Sequence, residues 1–234
     1  MPVVGIDLAW SDRHPSAGCA VTRDGTVIDE VSLGDDDEIV AWIEGHAPTT
    51  VGIDAPLLVP NAEGMRPCER ELQRVYGSRG AGAHPANRRL LQRTSGRVRG
   101  EDLAARLPDH RDPWAGWSGT LLEVYPHPAL VEAFDLDRRL RYKRVPAAER
   151  PDRLRDLRAH VERLAGARPP LSGPTVEIPA DVGGRAAKAV EDRLDARICA
   201  WVALVWDVRG PGGIRLFGDA ASGHVAVPTV RIGA

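Results

Sequence analysis

Several features are scarce in this chain, and each scarcity excludes a class of protein. The 234 residues include only three cysteines, which lie far apart without a C-x-x-C pair, and this argues against a disulfide framework or a zinc site. No apolar run approaches the roughly 20 residues that a membrane span requires. The N-terminus has no basic segment ahead of an apolar stretch, so we expect no secretory signal, no membrane partner and a cytoplasmic location. No pattern indicates an oligomeric state.

Lysine is almost absent. The chain has 31 basic residues, and only Lys143 and Lys188 are lysines. A bias of this kind throughout a chain is more often a result of GC-rich coding than of function, although arginine is the better bidentate phosphate ligand. The formal net charge of -2 predicts no general affinity for polyanions. Individual arginines therefore have to be judged by their positions.

The order of apolar segments predicts an α/β fold in one domain of residues 1–234. Strands are predicted at residues 3–10, 18–23, 26–33, 50–54 and 120–125. Helices are predicted at residues 35–45, 67–75, 147–164 and 184–208, and from the prolines after the last of these strands to residue 141. A hairpin is expected at residues 214–217 and 224–227. Residues 60–118, which are rich in Gly, Arg, Pro and His, are interpreted as an insertion or cap.

Three predicted central strands each carry one acidic residue. Asp7 lies within an apolar strand, where an isolated carboxylate is costly unless it is paired, protonated or bound to a metal. Asp54 follows the same Val-Gly-Ile pattern, and Glu123 lies in Leu-Leu-Glu-Val-Tyr. If the strands are neighbours, these acids converge at one edge of the sheet, where a divalent cation would relieve their repulsion. Oxygen ligands favour Mg²⁺, Mn²⁺ or Ca²⁺ over zinc, and of these Mg²⁺ or Mn²⁺ is the expected cofactor.

The long C-terminal helix supplies a further acid. Since each residue advances a helix by about 100°, Asp195 falls on the apolar face and Asp192 at its edge. Glu191 also falls near this face, so the choice between it and Asp192 stays open. For any one acid the alternative is a structural role: Asp54 is suited to an Asx-turn, and Asp192 to an ion pair with Lys188 at i,i+4. Three strand acids together with a helix acid are harder to explain in this way.

Five segments resemble one known family, the predicted RNase H-like nucleases of domain-of-unknown-function family 429. They read GIDLAW (5–10), GIDAPL (52–57), CEREL (68–72), LEVYPHP (122–128) and EDRLDARICA (191–200). The resemblance covers nearly the whole chain. It implies an RNase H-like mixed sheet flanked by helices, with a helical, Gly-rich insertion. It also implies that Asp7, Asp54 or Glu123, and Asp195 hold the metals.

The expected activity is therefore that of a phosphodiester hydrolase that uses two divalent ions about 4 Å apart. Asp7 would bridge the ions, Asp54 and Glu123 would complete one site, and Asp195 with Asp192 the other. His127 is a candidate proton donor to the leaving group. The substrate would be nucleic acid or a nucleotide phosphodiester.

Side chains that bind this substrate are expected in two places. Arg66, Arg70 and Arg79 lie in or beside the glycine-rich insertion, where guanidinium groups would suit phosphate capture, although a solvated helix face explains them equally well. Tyr125 follows Glu123 toward the edge of the sheet. For base stacking, Trp114 and Trp117 are the candidates, because Trp10, Trp42, Trp201 and Trp206 fall on faces predicted to be buried.

Two other functions compete with hydrolysis. An ATP-dependent phosphotransferase of the actin and sugar-kinase group also begins with a strand Asp in a Gly-Ile-Asp context, but a Gly-rich phosphate hairpin is lacking after the first strand and 234 residues are too few for its two duplicated domains. The other is a non-catalytic binding module that retains metal ligands for stability.

Overall fold

The main sheet has five strands and combines antiparallel with parallel pairing. The computed structural model describes residues 1–11, 13–107, 109–110, 112–116 and 119–232. The strand order is β3-β2-β1-β4-β5, formed by β1 (Val3–Asp7), β2 (Ser16–Val21), β3 (Val27–Leu33), β4 (Thr50–Asp54) and β5 (Thr120–Glu123). The predicted mixed α/β sheet is confirmed.

The first three strands form an antiparallel meander, as predicted from the turn residues between them. β2 pairs with both β1 and β3, and the turn between β2 and β3 contains Gly25 at a φ of 94°. Glycine adopts this left-handed conformation without steric cost. The Asp24-Gly25 pair is thus placed where a tight hairpin requires it.

A crossover through α1 (Asp36–His46) brings the chain back to the sheet. Asp35 caps this helix, since its side chain accepts a hydrogen bond from the Glu38 backbone N–H. β4 then joins β1 in parallel register, and β5 joins β4 in the same direction. The carboxyl ends of β1, β4 and β5 therefore lie at one edge of the sheet.

The described residues contain six further α-helices and a separate hairpin. These elements are α2 (Pro67–Tyr76), α3 (Arg88–Ser95), α4 (Arg99–Ala105), α5 (Pro126–Ala133), α6 (Arg150–Arg163), α7 (Gly184–Arg209), β6 (Ile214–Asp219) and β7 (Gly223–Pro228). The described part of residues 60–118 thus contains three α-helices where one helix was predicted. The helix expected to reach residue 141 ends at Ala133 instead, and Phe134 leaves helical geometry.

The core lies on the two faces of the main sheet. On one face, residues of α7 from Leu194 to Trp206 pack with apolar residues of β1, β2 and β5. On the other face, Ile39 and Ile43 of α1 pack with Ile6 and Ile53. A third cluster joins α2 and α5 to the β6–β7 hairpin. Among the described helices, none combines the length and apolarity that a membrane crossing demands.

Candidate metal site

Asp7 and Asp54 lie side by side at the carboxyl ends of neighbouring strands. They are partners in the parallel register of β1 and β4, so their side chains project from the same face of the sheet. Asp7 is 9% exposed. The repeated Val-Gly-Ile-Asp pattern therefore places two carboxyl groups together, as the sequence predicts.

Asp195 reaches the same position from α7. The helix lies so close to the strands that a Cβ at Gly5 would overlap the carbonyl oxygen of Ala196. A Cβ at Gly52 would lie only 2.6 Å from the carbonyl oxygen of Cys199. Because both glycines lack a side chain, α7 can approach the strands and bring Asp195, fully buried, to the two strand acids.

Asp7, Asp54 and Asp195 form a group that fits a divalent cation. Each offers a carboxylate oxygen, and the three ligand atoms lie within 4.8 Å of one another. Oδ2 of Asp195 is buried, and Lys143 Nζ lies 2.8 Å from it. An all-oxygen donor set of this kind suits a hard divalent cation.

Burial and neighbouring negative charge make Asp7 and Asp54 difficult to ionise in the absence of a cation. Burial raises the pKa of Asp7 well above its usual value, and the charge of Asp195 raises it further. Burial likewise raises the pKa of Asp54 to about 6. A divalent ion would offset both effects, because it favours the charged form of each ligand.

Two residues at this site, Tyr142 and Lys143, were not predicted from the sequence. The Tyr142 hydroxyl donates a 2.8 Å hydrogen bond to Oδ1 of Asp195. Lys143 Nζ lies 2.8 Å from Oδ2 of Asp195 and 3.8 Å from Oδ2 of Asp54. Both follow the segment that was expected to be helical, in a region without periodicity. The one signal that could have singled out Lys143 is the rarity of lysine.

Glu123 does not join the three aspartates. It pairs in register with Ile53 rather than Asp54, and since successive side chains of a strand alternate between faces, it projects from the opposite face. There it forms a bidentate ion pair with Arg66, whose Nη1 lies 2.8 Å from Oε2 and whose Nη2 lies 2.5 Å from Oε1 of Glu123. The expected assignment of Glu123 to the metal group is thus corrected by a shift of one residue in strand register.

Arg66 is the buried partner of Glu123 in this ion pair. Its side chain is 2% exposed and also donates to Oε1 of Glu69 and to the Leu58 carbonyl. An arginine so enclosed has no donor directed at solvent, so the expectation that Arg66 binds substrate does not fit its position.

Asp192 and Glu191 both pair with Lys188, one turn earlier on α7. Lys188 Nζ lies 2.9 Å from Oε1 of Glu191 and also contacts Oδ1 of Asp192. This is the i,i+4 pair that was the structural alternative for Asp192. Both acids line the same cavity as Asp7 and Asp54, adjacent to the three-aspartate group rather than within it.

Tyr125 and His127 lie near the group without contacting a carboxylate. The ring centroid of His127 lies 5.5 Å from that of Tyr125 and 5.0 Å from that of Tyr142. Burial lowers the pKa of His127 well below its usual value, and the charge of Lys143 lowers it further. His127 is therefore a neutral imidazole near pH 7, which weighs against the expected role as a proton donor.

A cavity of about 820 Å³ opens beside the aspartates. Among its lining residues are Asp7, Asp54 and Lys143, and the basic residues Arg97, Arg99, Arg144, Arg150, Arg185, Lys188 and Arg193. Arg70 and Arg79, the other expected substrate ligands, do not line it: Arg70 donates to the Met65 carbonyl, and Arg79 is 3.8 Å from Asp135.

Two tryptophans that the sequence analysis considered, Trp10 and Trp114, are exposed. Trp10 is 65% exposed and lines the cavity, so the prediction that it is buried is wrong, because β1 ends at Asp7, before residue 10. Trp114 is 45% exposed and packs its ring edge-on against His224 at 5.4 Å. Trp117 lies outside the described residues.

The fold and this group of acids define a class: an α/β protein with a buried carboxylate cluster compatible with a divalent metal. The chain belongs to the DUF429 family, described as "Protein of unknown function (DUF429)", whose model matches residues 5–221. Comparison with curated proteins gives no match, and comparison with solved structures gives none either.

Proposed function

We propose that this protein is a phosphodiester hydrolase that depends on Mg²⁺ or Mn²⁺ and acts on nucleic acid or a nucleotide phosphodiester. The observation that carries the proposal is the meeting of Asp7, Asp54 and Asp195, from two strands and a distant helix, beside a large cavity. Two buried acids and a third that is partly buried cost free energy when they are brought together, and a bound cation would offset that cost.

The cavity provides a suitable environment for an anionic substrate. Arg144 and Arg185 are exposed at its lining, and neither has an ion-pair partner among the described residues. Guanidinium groups bind phosphate through two parallel hydrogen bonds. Trp10, exposed on the same cavity, offers an aromatic face on which a base can stack.

The substrate we favour is short and single-stranded. The cavity volume is of the order of a few nucleotides, and the eight Arg and Lys residues that line it surround one compact space. Long duplexes are usually bound through an extended set of phosphate contacts.

In the reaction, a water oxygen adds to phosphorus and the ester P–O bond breaks, with the bonding electrons passing to the leaving oxygen. One water proton ends on that oxygen, giving an alcohol and a phosphate monoester. Asp7, Asp54 and Asp195 would hold the ion, which when bound acts as a Lewis acid and lowers the pKa of water. Tyr142 fixes the orientation of Asp195 through its hydrogen bond to Oδ1.

The test is an Asp7→Asn variant assayed with Mn²⁺ on single-stranded DNA, single-stranded RNA and a small chromogenic phosphodiester. We expect cleavage to fall at least 100-fold while the circular dichroism spectrum is retained, because the amide is a much weaker metal ligand than a carboxylate. Asp152→Asn is the matched control, since Asp152 is 82% exposed on α6 and should leave cleavage unchanged.

Other results would exclude the proposal. Wild-type activity in the Asp7→Asn variant would show that cleavage does not depend on the carboxylate cluster. Stabilisation of the wild type by Mn²⁺ without cleavage of any of the three substrates would support the non-catalytic metal-binding module instead.

A further inference from the structure

The only two lysines of the chain both contact acids, one within the candidate metal site and the other beside it. The other 29 basic residues are arginines, so the chain uses arginine at nearly every position where a positive charge is needed. Lys143 contacts Asp195, and Lys188 contacts Glu191 and Asp192. Since the two cations differ in size and shape, this placement suggests that a compact ammonium is required here.

Lys143 lies within the group of three aspartates. Its Nζ is 2.8 Å from Asp195 and 3.8 Å from Asp54. Its charge also acts on Asp7, where it opposes the effect of burial. The side chain is 31% exposed and lines the cavity, so the ammonium faces both the carboxylates and the space that a substrate would occupy.

The backbone around Lys143 holds it in this position. The preceding residue, Tyr142, is fully buried and bonded to Asp195. The following residue, Arg144, has a φ of 55°, a left-handed conformation that costs a non-glycine residue about 1 kcal/mol and persists only where the surroundings impose it. The backbone conformation on both sides of Lys143 is therefore fixed by its surroundings.

The charges leave room for one divalent ion. Glu123 is paired with Arg66 and Asp192 with Lys188, so two of the five acids expected to hold a pair of ions are paired already. The three aspartates and Lys143 together carry two negative charges. A single divalent cation neutralises them, whereas two would leave a net positive charge on a site that already contains an ammonium.

We propose that Lys143 takes the place of a second divalent cation: the site binds one metal ion, and Lys143 Nζ contacts a non-bridging phosphoryl oxygen of the substrate. This inference rests on the proposed function and deepens it by naming a further catalytic residue. Lys143 stays protonated throughout hydrolysis and stabilises the negative charge that develops on phosphoryl oxygen as water adds. A guanidinium at this position would be larger and would crowd an ion that shares Asp54 and Asp195 with it.

The experiment measures Mn²⁺ and phosphate binding by calorimetry, without reliance on turnover. The wild type is expected to bind one Mn²⁺ per chain. Lys143→Met should bind Mn²⁺ at least tenfold more tightly, because an opposing charge is removed, yet the Mn²⁺-loaded variant should bind inorganic phosphate at least tenfold more weakly. Arg153→Met, at an exposed ion pair on α6, is the control and should change neither constant.

Lys143→Arg is the second variant. Because it keeps the positive charge, it can be measured even if the methionine variant fails to fold. We expect it to bind Mn²⁺ more weakly than the wild type, since the larger group crowds the ligands. Two Mn²⁺ ions per wild-type chain, or unchanged phosphate affinity in both Lys143 variants, would overturn the inference. Absence of cleavage by a wild type that binds one Mn²⁺ and phosphate through Lys143 would overturn the proposed hydrolase alone.

Discussion

At the scale of single residues, the candidate site balances the cost of burying carboxylates against the cations that offset it. Asp54 shows this most clearly: burial raises its pKa to about 6, and Lys143, at 3.8 Å, lowers it only in part. A pKa that is higher in the folded than in the unfolded protein means that the fold favours the protonated acid. Stability from this residue is therefore present at low pH and is lost as the pH rises from about 4 to 6.

The Asp54→Asn variant tests this balance. In EDTA at pH 7 it should be more stable than the wild type, by on the order of 2 kcal/mol, because the amide resembles the neutral acid that the fold prefers. The difference should disappear near pH 4, where Asp54 is protonated. Urea denaturation at the two pH values measures it.

Excess Mn²⁺ should make the wild type more stable than the Asp54→Asn variant at pH 7, since only the wild type keeps all three ligands and gains free energy from binding. A variant that is less stable than the wild type in EDTA at pH 7 would show that ionised Asp54 is stabilised by its surroundings without a metal.

At the scale of secondary-structure elements, the site depends on how closely α7 lies against β1 and β4. Gly5 and Gly52 are neighbours in the parallel register, each two residues before a site aspartate. A Cβ at Gly5 would overlap the Ala200 backbone nitrogen. Since this atom belongs to the middle of a long helix, the helix would have to move as a whole.

Gly5→Ala is therefore expected to damage stability and metal binding together. Overpacking of this kind costs about 2 kcal/mol, and displacement of α7 should draw Asp195 away from Asp7 and weaken Mn²⁺ binding at least tenfold. Gly45→Ala is the matched control: it lies in α1 with no described atom near the added Cβ, and it should be neutral or stabilising by up to about 1 kcal/mol. Unchanged Mn²⁺ affinity in Gly5→Ala would show that metal binding does not depend on how closely α7 packs against the strands.

The same elements show what the sequence could predict. Apolar runs and the Asp24-Gly25 turn were sufficient for the meander and the crossover, and the helical period placed Asp195 on the buried face of α7. Strand register was not predictable to one residue, because β5 is only four residues long, and that uncertainty decides whether Glu123 projects toward Asp54 or away from it. Tyr142 and Lys143 lie between helices, in a segment whose contacts depend on the tertiary fold alone.

At the scale of the whole molecule, the distribution of charge matters more than its sum. The chain carries a formal charge of -2, and many of its arginines are held in ion pairs, such as Arg193 and Arg197 with Glu30. Arg144 and Arg185 lack such partners among the described residues and line the cavity beside the aspartates. A phosphate chain bound at the site would therefore meet these two guanidinium groups.

Salt dependence of binding distinguishes these arginines from the rest. For a single-stranded DNA oligonucleotide bound in Ca²⁺ to the Asp7→Asn variant, replacing Arg144 or Arg185 with Ala should reduce the slope of log affinity against log salt by about 0.7 for each phosphate that the protein no longer neutralises. Arg70→Ala is the comparison, because Arg70 was expected from the sequence to bind substrate yet lies outside the cavity lining and donates to the Met65 carbonyl. Its slope should equal that of the parent protein. A reduced slope for Arg70→Ala with unchanged slopes for the other two would mean that the substrate follows the insertion and not the cavity.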